Sequence, residues 1–380
     1  MQVEKLSSSI DAKKYLADLG VDAGGSSVLR SKMQTHLIYI RDLHVGAANI
    51  LKQDALSIGA DLAVPKGTII AQTPRVNCIL IATTKHLKIL SKKELAQPFG
   101  LKILAKYLQD ILKVKKPNNF KVMGIINAND DSFFSQSRFV DSDAIKKIEL
   151  MIEEGADIID IGGVSSAPNT KAVDPKEELQ RVEPILKAIK EQRLYERASF
   201  SIDSYEPIVI NKALESGFNI VNDITGLAND EVCKLVASFK AQAIIMHMQG
   251  TPKTMQKKPE YNNVLSDIYE FFTQRIEKAQ SYGVDDIVLD VGIGFGKTQE
   301  HNLALIKHLE HFLTLQKPLL IGASRKSMID KISPSDPQQR LAGTLALHLE
   351  AIRNGASIIR AHDVSEHVQA IKIQKALDNI

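Results

Sequence analysis

From Phe120 onward, short apolar runs alternate with segments of helical periodicity. Apolar runs of this kind, separated by amphipathic helices, are typical of parallel strands covered on both faces. The runs lie at 121–127, 157–163, 199–204, 219–224, 242–248, 286–292, 318–324 and 356–363. Because eight strand–helix units fit one closed sheet, the pattern predicts an α/β fold of the (β/α)8 TIM barrel type. A doubly wound open sheet is the competing arrangement.

Helices are predicted between the apolar runs. The segment 174–190 has Asp174 as an N-cap, Pro175 at the first helical position and Glu177 three residues after the cap, which is a capping-box pattern. Further helices are predicted at 206–215, 230–238, 262–282, 299–310, 338–354 and 364–377.

The first 115 residues do not follow this alternation. Strands are predicted there at 37–42 and 77–83, helices at 45–58 and 92–114, and a loop at 24–27. The basic connection KVKKPNN at 113–119 marks a boundary. We therefore expect a smaller α/β N-terminal domain at 1–115, an accessory region of unassigned function, and a barrel at 116–380.

Composition argues against several functional classes. The net charge is +3 and aromatic residues make up 5% of the chain, which disfavours a nucleic-acid surface. The N-terminal segment is charged and lacks an apolar core, and no apolar run reaches the length of a membrane span. Cys78 and Cys233 lie far apart, so we interpret them as reduced core residues rather than redox or metal residues. We expect a cytoplasmic protein without nucleic-acid or membrane partners.

The glycine-rich stretch IVLDVGIGFGKT at 287–298 resembles a phosphate loop at first sight. A Walker loop would require glycine at Val291, and a dinucleotide-binding loop would require glycine at Lys297. Neither pattern fits. Asp290, at the end of the apolar run, is therefore the candidate functional residue of this stretch.

Polar residues collect where the predicted strands end. In a parallel barrel these ends share one face, which carries the active site. The residues are Asn127, Asp203, Asn222, Asp223, His247, Asp290, Ser324, Arg325, Lys326, Ser327, Arg360 and His362. Individually, an aspartate there is more often a helix cap, and His247 is more often a hydrogen-bonded core residue. Their convergence on one face predicts a site.

The chemistry of this set is divided into two parts. Acceptor groups that suit a flat, donor-rich heterocycle are supplied by Asp203, Asn222 and Asp290. Positive charge at strands seven and eight, the usual phosphate location of a barrel, comes from Arg325, Lys326, Arg360 and His362. We expect a ligand with a basic heterocyclic end and an anionic phosphate end.

Nine motifs, in order, resemble those of the dihydropteroate synthase family. They are MGIINANDDSF (123–133), GADIIDIGGVSSAP (155–168), SIDSY (201–205), VNDITG (221–226), IIMHMQG (244–250), DVGIGFGKT (290–298), GASRKS (322–327), RLAGTLA (340–346) and RAHDV (360–364). The resemblance implies a folate-pathway transferase. Its reaction condenses 6-hydroxymethyl-7,8-dihydropterin pyrophosphate with p-aminobenzoate, giving 7,8-dihydropteroate and pyrophosphate.

The same resemblance implies roles for individual residues. Catalysis is expected from Asp203, Asp290 and Lys326. The pterin pocket is expected to contain Asp203, Asn222, Ile224, Met246, Met248, Asp290, Phe295, Gly322 and Lys326. The diphosphate is expected at Asn127, Arg360 and His362, with Mg²⁺ near Asn127. The p-aminobenzoate is expected at Ser166, Pro168 and Ser327. Lys297 is expected to be a surface or structural charge, and a homodimer is possible.

The sequence departs from the family pattern in the two catalytic loops. The first reads NANDDS at 127–132 instead of N-V-T-P-D-S, and the second, VSSAP at 164–168, lacks the usual acid and arginine. Val291 replaces a common proline. These changes affect the expected p-aminobenzoate site, at loops 127–138 and 164–170, more than the pterin pocket. Ser166 keeps the hydroxyl group.

Three alternatives stay open on sequence alone. One is a non-catalytic pterin-binding paralogue with altered loops. Another is a pterin-binding protein like the corrinoid-dependent methyltransferases, which do not need a diphosphate site. A class I aldolase would use Lys326 as a Schiff-base nucleophile, but two pocket aspartates do not suit a sugar phosphate.

Overall fold

The computed structural model describes residues 1, 3, 4, 6, 11–128, 140–164, 173–250, 255 and 259–378, with the backbone alone at 140–142. The chain divides into two units, Met1–Val114 and Lys115–Asn379. Among the described residues, no helix combines the length and the apolar character needed to cross a bilayer.

The first unit packs helices on an antiparallel sheet with the strand order β1-β3-β2. Its elements are α1 (Ala12–Asp18), α2 (Ala23–Met33), β1 (Thr35–His44), α3 (Val45–Ser57), β2 (Asp61–Ala63), β3 (Arg75–Thr83), α4 (Thr84–Lys93) and α5 (Leu101–Ile111). Every second residue of β3 is buried in the core of this unit, and these are Val76, Cys78, Leu80 and Ala82. The alternation is that of a sheet with one covered face.

Two predictions for the first unit were wrong. The predicted loop at 24–27 lies inside α2, because the Asp22 carboxylate caps that helix by accepting from the Gly25 N–H at 2.8 Å. The predicted helix at 92–114 is interrupted between α4 and α5. Pro98 and Gly100 lie in the interruption, and Gly100 adopts the left-handed conformation with φ of 85°. The strands β1 and β3 and the helix α3 are confirmed.

The second unit is a closed parallel barrel in which each strand pairs with the next along the chain. The strands are β4 (Lys121–Asn127), β5 (Ile158–Gly162), β6 (Ser199–Asp203), β7 (Ile220–Asp223), β8 (Gln242–Met246), β9 (Ile287–Asp290), β10 (Leu319–Ile321) and β11 (Ile358–Ala361). Closure comes from pairing of β11 with β4. The predicted barrel is confirmed and the open sheet is excluded.

Helices surround the barrel. They are α6 (Val140–Glu153), α7 (Pro175–Glu191), α8 (Pro207–Glu215), α9 (Asp230–Phe239), α10 (Val264–Ser281), α11 (Gln299–Lys307), α12 (Ser327–Asp330), α13 (Leu341–Arg353) and α14 (Val364–Asp378). Asp174 caps α7 as predicted, accepting from the Lys176 N–H. The capping box does not form, because Glu177 pairs with Arg181 at 2.6 Å. Cys78 and Cys233 are buried and unpaired, as expected.

An apolar layer fills the barrel interior below its carboxyl end. It consists of Met123, Ile158, Ile220, Ile244, Val288, Leu320 and Ile358. Because side chains on a strand alternate between faces, the residue two positions later on each strand also points inward. Those positions hold Ile125, Asp160, Asn222, Met246, Asp290, Gly322 and Arg360. A mostly polar layer therefore lies directly above the apolar one.

Candidate active site

An ion cluster with little exposure to solvent includes Asp160 and Arg360 of this layer, together with Asp203. The Arg360 Nε donates to Asp160 Oδ2 at 2.6 Å, and its Nη2 donates to Asp203 Oδ2 at 2.7 Å. Asp203 is the last residue of β6, and Arg360 lies in β11, two strands away from β5. The guanidinium therefore joins strands that are not neighbours in the sheet.

Asp160 is a site residue that the sequence analysis missed. It is fully buried, and its Oδ2 also accepts from Asn222 Nδ2 at 3.2 Å. Its Oδ1 and the Ser201 Oγ on the neighbouring strand have no hydrogen-bond partner among the described residues. The available signal was an aspartate within the apolar run DIIDIGG, because a carboxylate is seldom fully buried unless it is paired.

Burial shifts the acid–base properties of the two predicted pocket aspartates. It raises the pKa of Asp203 to about 7, against the opposing effect of Arg360 and with a further increase from Asp160. Burial likewise raises the pKa of Asp290, whereas the hydrogen bond from the Gly292 N–H at 2.8 Å lowers it. Such shifts are characteristic of functional sites.

Lys326 lies among these carboxylates. Its Nζ is 4.5 Å from the centre of the Phe295 ring and donates to the Ile293 carbonyl. Burial lowers the pKa of Lys326 to about 8, although Asp290 and Asp203 favour its charged form. The structure thus brings Lys326, Asp203, Asp290 and Phe295 into one region, as the sequence predicted.

Lys297 is not a surface charge; it is buried. Its Nζ contacts His247 Nδ1 at 3.0 Å, the His247 carbonyl at 3.2 Å and the Phe295 carbonyl at 2.8 Å. Burial and the nearby lysine lower the pKa of His247 to about 2, so its imidazole is neutral and accepts at Nδ1. Lys297 therefore has the structural role that was one of its two expected roles, because it connects the loop after β8 to the loop after β9. His247 is the core histidine expected from the sequence.

Glycines allow these two loops to approach closely. Gly292 and Gly296 have φ of 67° and 63°, in the left-handed region. A Cβ on Gly292 would lie 2.0 Å from the His247 carbonyl oxygen, and one on Gly296 would lie 2.5 Å from the Gln249 carbonyl oxygen. The glycine pattern of this stretch therefore serves loop packing beside Asp290.

The loops after β10 and β11 are also tied together. Ser324 Oγ and His362 Nδ1 are 2.9 Å apart, and the Arg325 guanidinium pairs with both oxygens of Asp363. Burial, followed by the charge of Arg325, lowers the pKa of His362 to about 4, so this imidazole is neutral at pH 7. Arg325 therefore forms part of the frame around His362.

The other predicted residues fall in several places. Ile224 and Met246 are buried, Met248 is half-buried, and Ser327 is exposed at the start of α12. Gly322 lies beside Arg360, and a Cβ at this position would be 3.7 Å from the arginine Cβ, an ordinary contact distance.

Asp223, by contrast, is a loop cap. It accepts from the Thr225 and Leu227 N–H groups at 2.6 and 3.1 Å, which is the structural role that the sequence analysis weighed against a functional one.

Asn127, the predicted metal residue, is half-buried at the end of β4. Within the described part of the chain, no group of three or more His, Cys, Asp or Glu side chains could hold a metal ion. Ser166 and Pro168, and most of the two loops at 127–138 and 164–170, lie outside the described residues.

Gly292→Ala should destabilise the protein more than Gly283→Ala. Both glycines have positive φ, but a Cβ on Gly283 meets nothing within 4 Å. We expect a loss of about 1 kcal/mol in unfolding free energy for Gly283→Ala from backbone conformation alone. Gly292→Ala should lose about 1–3 kcal/mol more, because the loop must move away from His247. Denaturant unfolding of both variants measures the difference, and equal losses would contradict the close approach.

Comparisons with known proteins identify the family of this chain. Residues 123–362 match the family model described as pterin binding enzyme. The chain is 43% identical to the bifunctional dihydropteroate synthase/dihydropteroate reductase of Helicobacter pylori, over 96% of each chain. It is 40% identical to the dihydropteroate synthase of Escherichia coli K12, over 67% of this chain and 90% of that protein.

Solved structures give the same result for the barrel. The dihydropteroate synthase of Yersinia pestis, in complex with a sulfonamide drug, superposes with a TM-score of 0.64 at 37% identity, covering 69% of this chain and 94% of that one. The Xanthomonas albilineans enzyme in complex with 7,8-dihydropteroate superposes with a TM-score of 0.60 at 31% identity, covering 69% and 94%. The chain therefore belongs to the dihydropteroate synthases, transferases of folate biosynthesis that join a dihydropterin pyrophosphate to p-aminobenzoate.

Proposed function

We propose that the ion cluster at the carboxyl end of the barrel is the pterin site of this synthase. The observation that carries the proposal is the half-buried Arg360 guanidinium between Asp160 and Asp203, with Asn222 on the same carboxylate. A pterin edge is rich in N–H donors, and the unpartnered Asp160 Oδ1 supplies an acceptor. Asp290 lies on the same inward layer.

The same carboxylates suit the chemistry of the reaction. The bond between the pterin methylene carbon and the diphosphate oxygen breaks, and pyrophosphate leaves with the electron pair. Positive charge then develops on the methylene carbon and the ring, where Asp203 and Asp290 stabilise it. The amine of p-aminobenzoate forms the new carbon–nitrogen bond and loses a proton. Preorganised charges in a buried site are effective because they need little reorganisation.

The diphosphate lies toward the loops after β10 and β11. An arginine has five N–H donors, and the two contacts to Asp160 and Asp203 use two of them. Three donors are left for an anionic ligand. The His362 imidazole is hydrogen-bonded to Ser324, which follows the adjacent strand β10. Arg360 and His362 therefore contact the leaving group together.

Magnesium fits this site as an ion that enters with the substrate. Mg²⁺ usually keeps several waters and binds through one or two protein oxygens together with substrate phosphates. The Asn127 amide oxygen at the end of β4 would be such a ligand, and no preformed carboxylate cage is needed. When bound, the ion neutralises charge on the departing diphosphate. For p-aminobenzoate, the residue that the structure describes is Ser327, exposed at the start of α12, and the resemblance adds Ser166 and Pro168.

Asp203→Asn should lower kcat by about 10²–10³, the usual effect of removing one preorganised electrostatic group. It should not lower the unfolding free energy at pH 7. The pKa of Asp203 is raised from 3.8 to about 7, so between these values the native state binds more protons than the unfolded chain. The parent protein therefore loses stability as the pH rises through this window, and the asparagine variant lacks that loss.

The measurement combines turnover with denaturant unfolding at pH 5 and pH 7. Stoichiometric dihydropteroate and pyrophosphate report turnover. Asp285→Asn, exposed before the amino end of β9, is the matched control. Full turnover by Asp203→Asn would overturn the site proposal, and a stability difference independent of pH would overturn its electrostatic basis. Tight binding of the pterin substrate by the parent protein without any product would favour the non-catalytic paralogue.

Asn127→Ala should raise the Mg²⁺ concentration needed for half-maximal turnover by about tenfold, since one ligand oxygen is lost. Binding of pyrophosphate followed by calorimetry at several Mg²⁺ concentrations should shift in the same direction. Asn118→Ala, exposed just before β4, is the control and should show no shift. Equal Mg²⁺ dependence of both variants would exclude Asn127 as a ligand.

We further propose that the chain also reduces dihydropteroate, the activity named for the Helicobacter pylori relative. The alignment with that protein covers 96% of this chain and so includes most of the first unit, whereas the match to the Escherichia coli synthase covers 67%. Reduction adds a hydride and a proton across one ring double bond. An external hydride donor is therefore needed.

The test supplies purified protein with 7,8-dihydropteroate and a reduced nicotinamide or a reduced flavin, and follows tetrahydropteroate by mass spectrometry. We expect product from this chain and none from the Escherichia coli synthase as the control enzyme. Asp203→Asn distinguishes a shared site, where both activities fall, from a separate one. Absence of product with every donor, while synthase turnover is intact, would exclude the second activity.

A further inference from the structure

Two buried histidines lie behind the loops that carry the diphosphate residues. His348 is on α13 and His367 on α14. The backbone N–H of Ala323 donates to His348 Nε2 at 2.9 Å. His348 Nδ1 and His367 Nε2 are 2.8 Å apart, and His367 Nδ1 contacts the Asp363 carbonyl. These contacts form a chain from the end of β10 to the residue after His362.

The chain has one consistent set of proton positions. Because a backbone N–H can only donate, His348 Nε2 must be the acceptor and carries no proton. The proton of a neutral His348 then lies on Nδ1 and is donated to His367 Nε2. His367 in turn carries its proton on Nδ1 and donates it to a carbonyl, which can only accept. All four groups are satisfied when both imidazoles are neutral.

The surroundings favour this neutral state. Burial lowers the pKa of both histidines, and the charge of Lys326 lowers that of His348 further. The acidic groups that face His367 are Asp363 and Glu366, and they act in the opposite direction. Protonation of either ring would remove an acceptor and break the chain.

The two ends of this series of hydrogen bonds lie next to the residues proposed for the diphosphate site. Ala323 begins the segment that leads through Ser324 and Arg325 to Lys326, and Asp363 follows His362 directly. The same two loops are joined in front by the Ser324–His362 hydrogen bond and the Arg325–Asp363 ion pair. The histidines therefore form a second connection from behind, through two helices.

We propose that His348 and His367 are positioning residues that set the distance between the loops after β10 and β11. At this distance Lys326, Arg360 and His362 can contact the same diphosphate-bearing substrate. The proposal rests on the diphosphate site proposed above. Packing alone does not explain the pair, because an apolar residue at position 348 would leave the buried Ala323 N–H without a partner.

The test compares His348→Ala and His367→Ala with Ile352→Ala and Ile371→Ala. The isoleucines are buried one helical turn further along the same two helices, so they control for lost packing. Each histidine variant should raise KM for the dihydropterin pyrophosphate by about tenfold, the effect of one unpaired buried donor or acceptor. The KM for p-aminobenzoate should stay within about twofold of the parent value. The isoleucine variants should lose thermal stability but keep both KM values.

Two further variants test whether the hydrogen-bonded series Ala323–His348–His367–Asp363, here called the histidine relay, acts as one unit or as independent contacts. If the histidines act as one unit, the double alanine variant should raise KM no more than either single one. His348→Gln, which keeps an acceptor near the Ala323 N–H, should recover most of the loss. The proposal would be overturned if the increases in KM of the two single variants add in the double variant, or if they are no larger than those of the isoleucine variants. It would also be overturned if His348→Gln restored KM no better than His348→Leu.

A further variant distinguishes an error in the histidine relay proposal from an error in the proposed diphosphate site. His362→Ala should raise KM for the pterin substrate whether or not the relay exists. If it does so while the His348 and His367 variants behave like the isoleucine controls, the relay alone is wrong. If His362→Ala has no effect, the diphosphate site itself is wrong.

Discussion

The guanidinium of Arg360 is the charge on which the open end of the barrel depends. Arginine does not give up its proton in a protein, so a guanidinium largely withdrawn from solvent, as in the half-buried Arg360, requires paired acceptors. Asp160 and Asp203 supply that pairing from β5 and β6, and Asn222 adds β7 through Asp160. Without both carboxylates the charge would be uncompensated at high cost, which explains why polar residues from four strands are ordered together.

The apolar layer below this cluster makes the arrangement rigid. Seven inward side chains fill the barrel, and the residues two positions later stand on top of them. A strand register shift by one residue would exchange inward and outward faces, so the apolar layer also determines which polar groups point into the site. The polar groups of the proposed pterin pocket, Asp203, Asn222 and Asp290, thus lie on strands rather than loops, which suits preorganised electrostatics.

The loops around the pocket are braced in pairs. Lys297 and the close approach of Gly292 hold the loops after β8 and β9, whereas the Arg325–Asp363 ion pair holds those after β10 and β11. Both braces use buried or half-buried polar groups whose partners are backbone carbonyls or carboxylates. Of the proposed site residues, Phe295, Lys326 and His362 lie on these braced loops. The first unit has a core of its own and is shared with a bifunctional relative.

Local sequence was sufficient for the barrel, its eight strands and the polar residues at their ends, because apolar periodicity and capping act over a few residues. Only the tertiary structure placed Asp160 beside Arg360, 200 residues away in sequence, and joined His348 to His367. Burial of Lys297 was likewise invisible to a local pattern. Whether a charged or titratable residue is solvated or paired depends on which distant strands meet, and strand closure decides that.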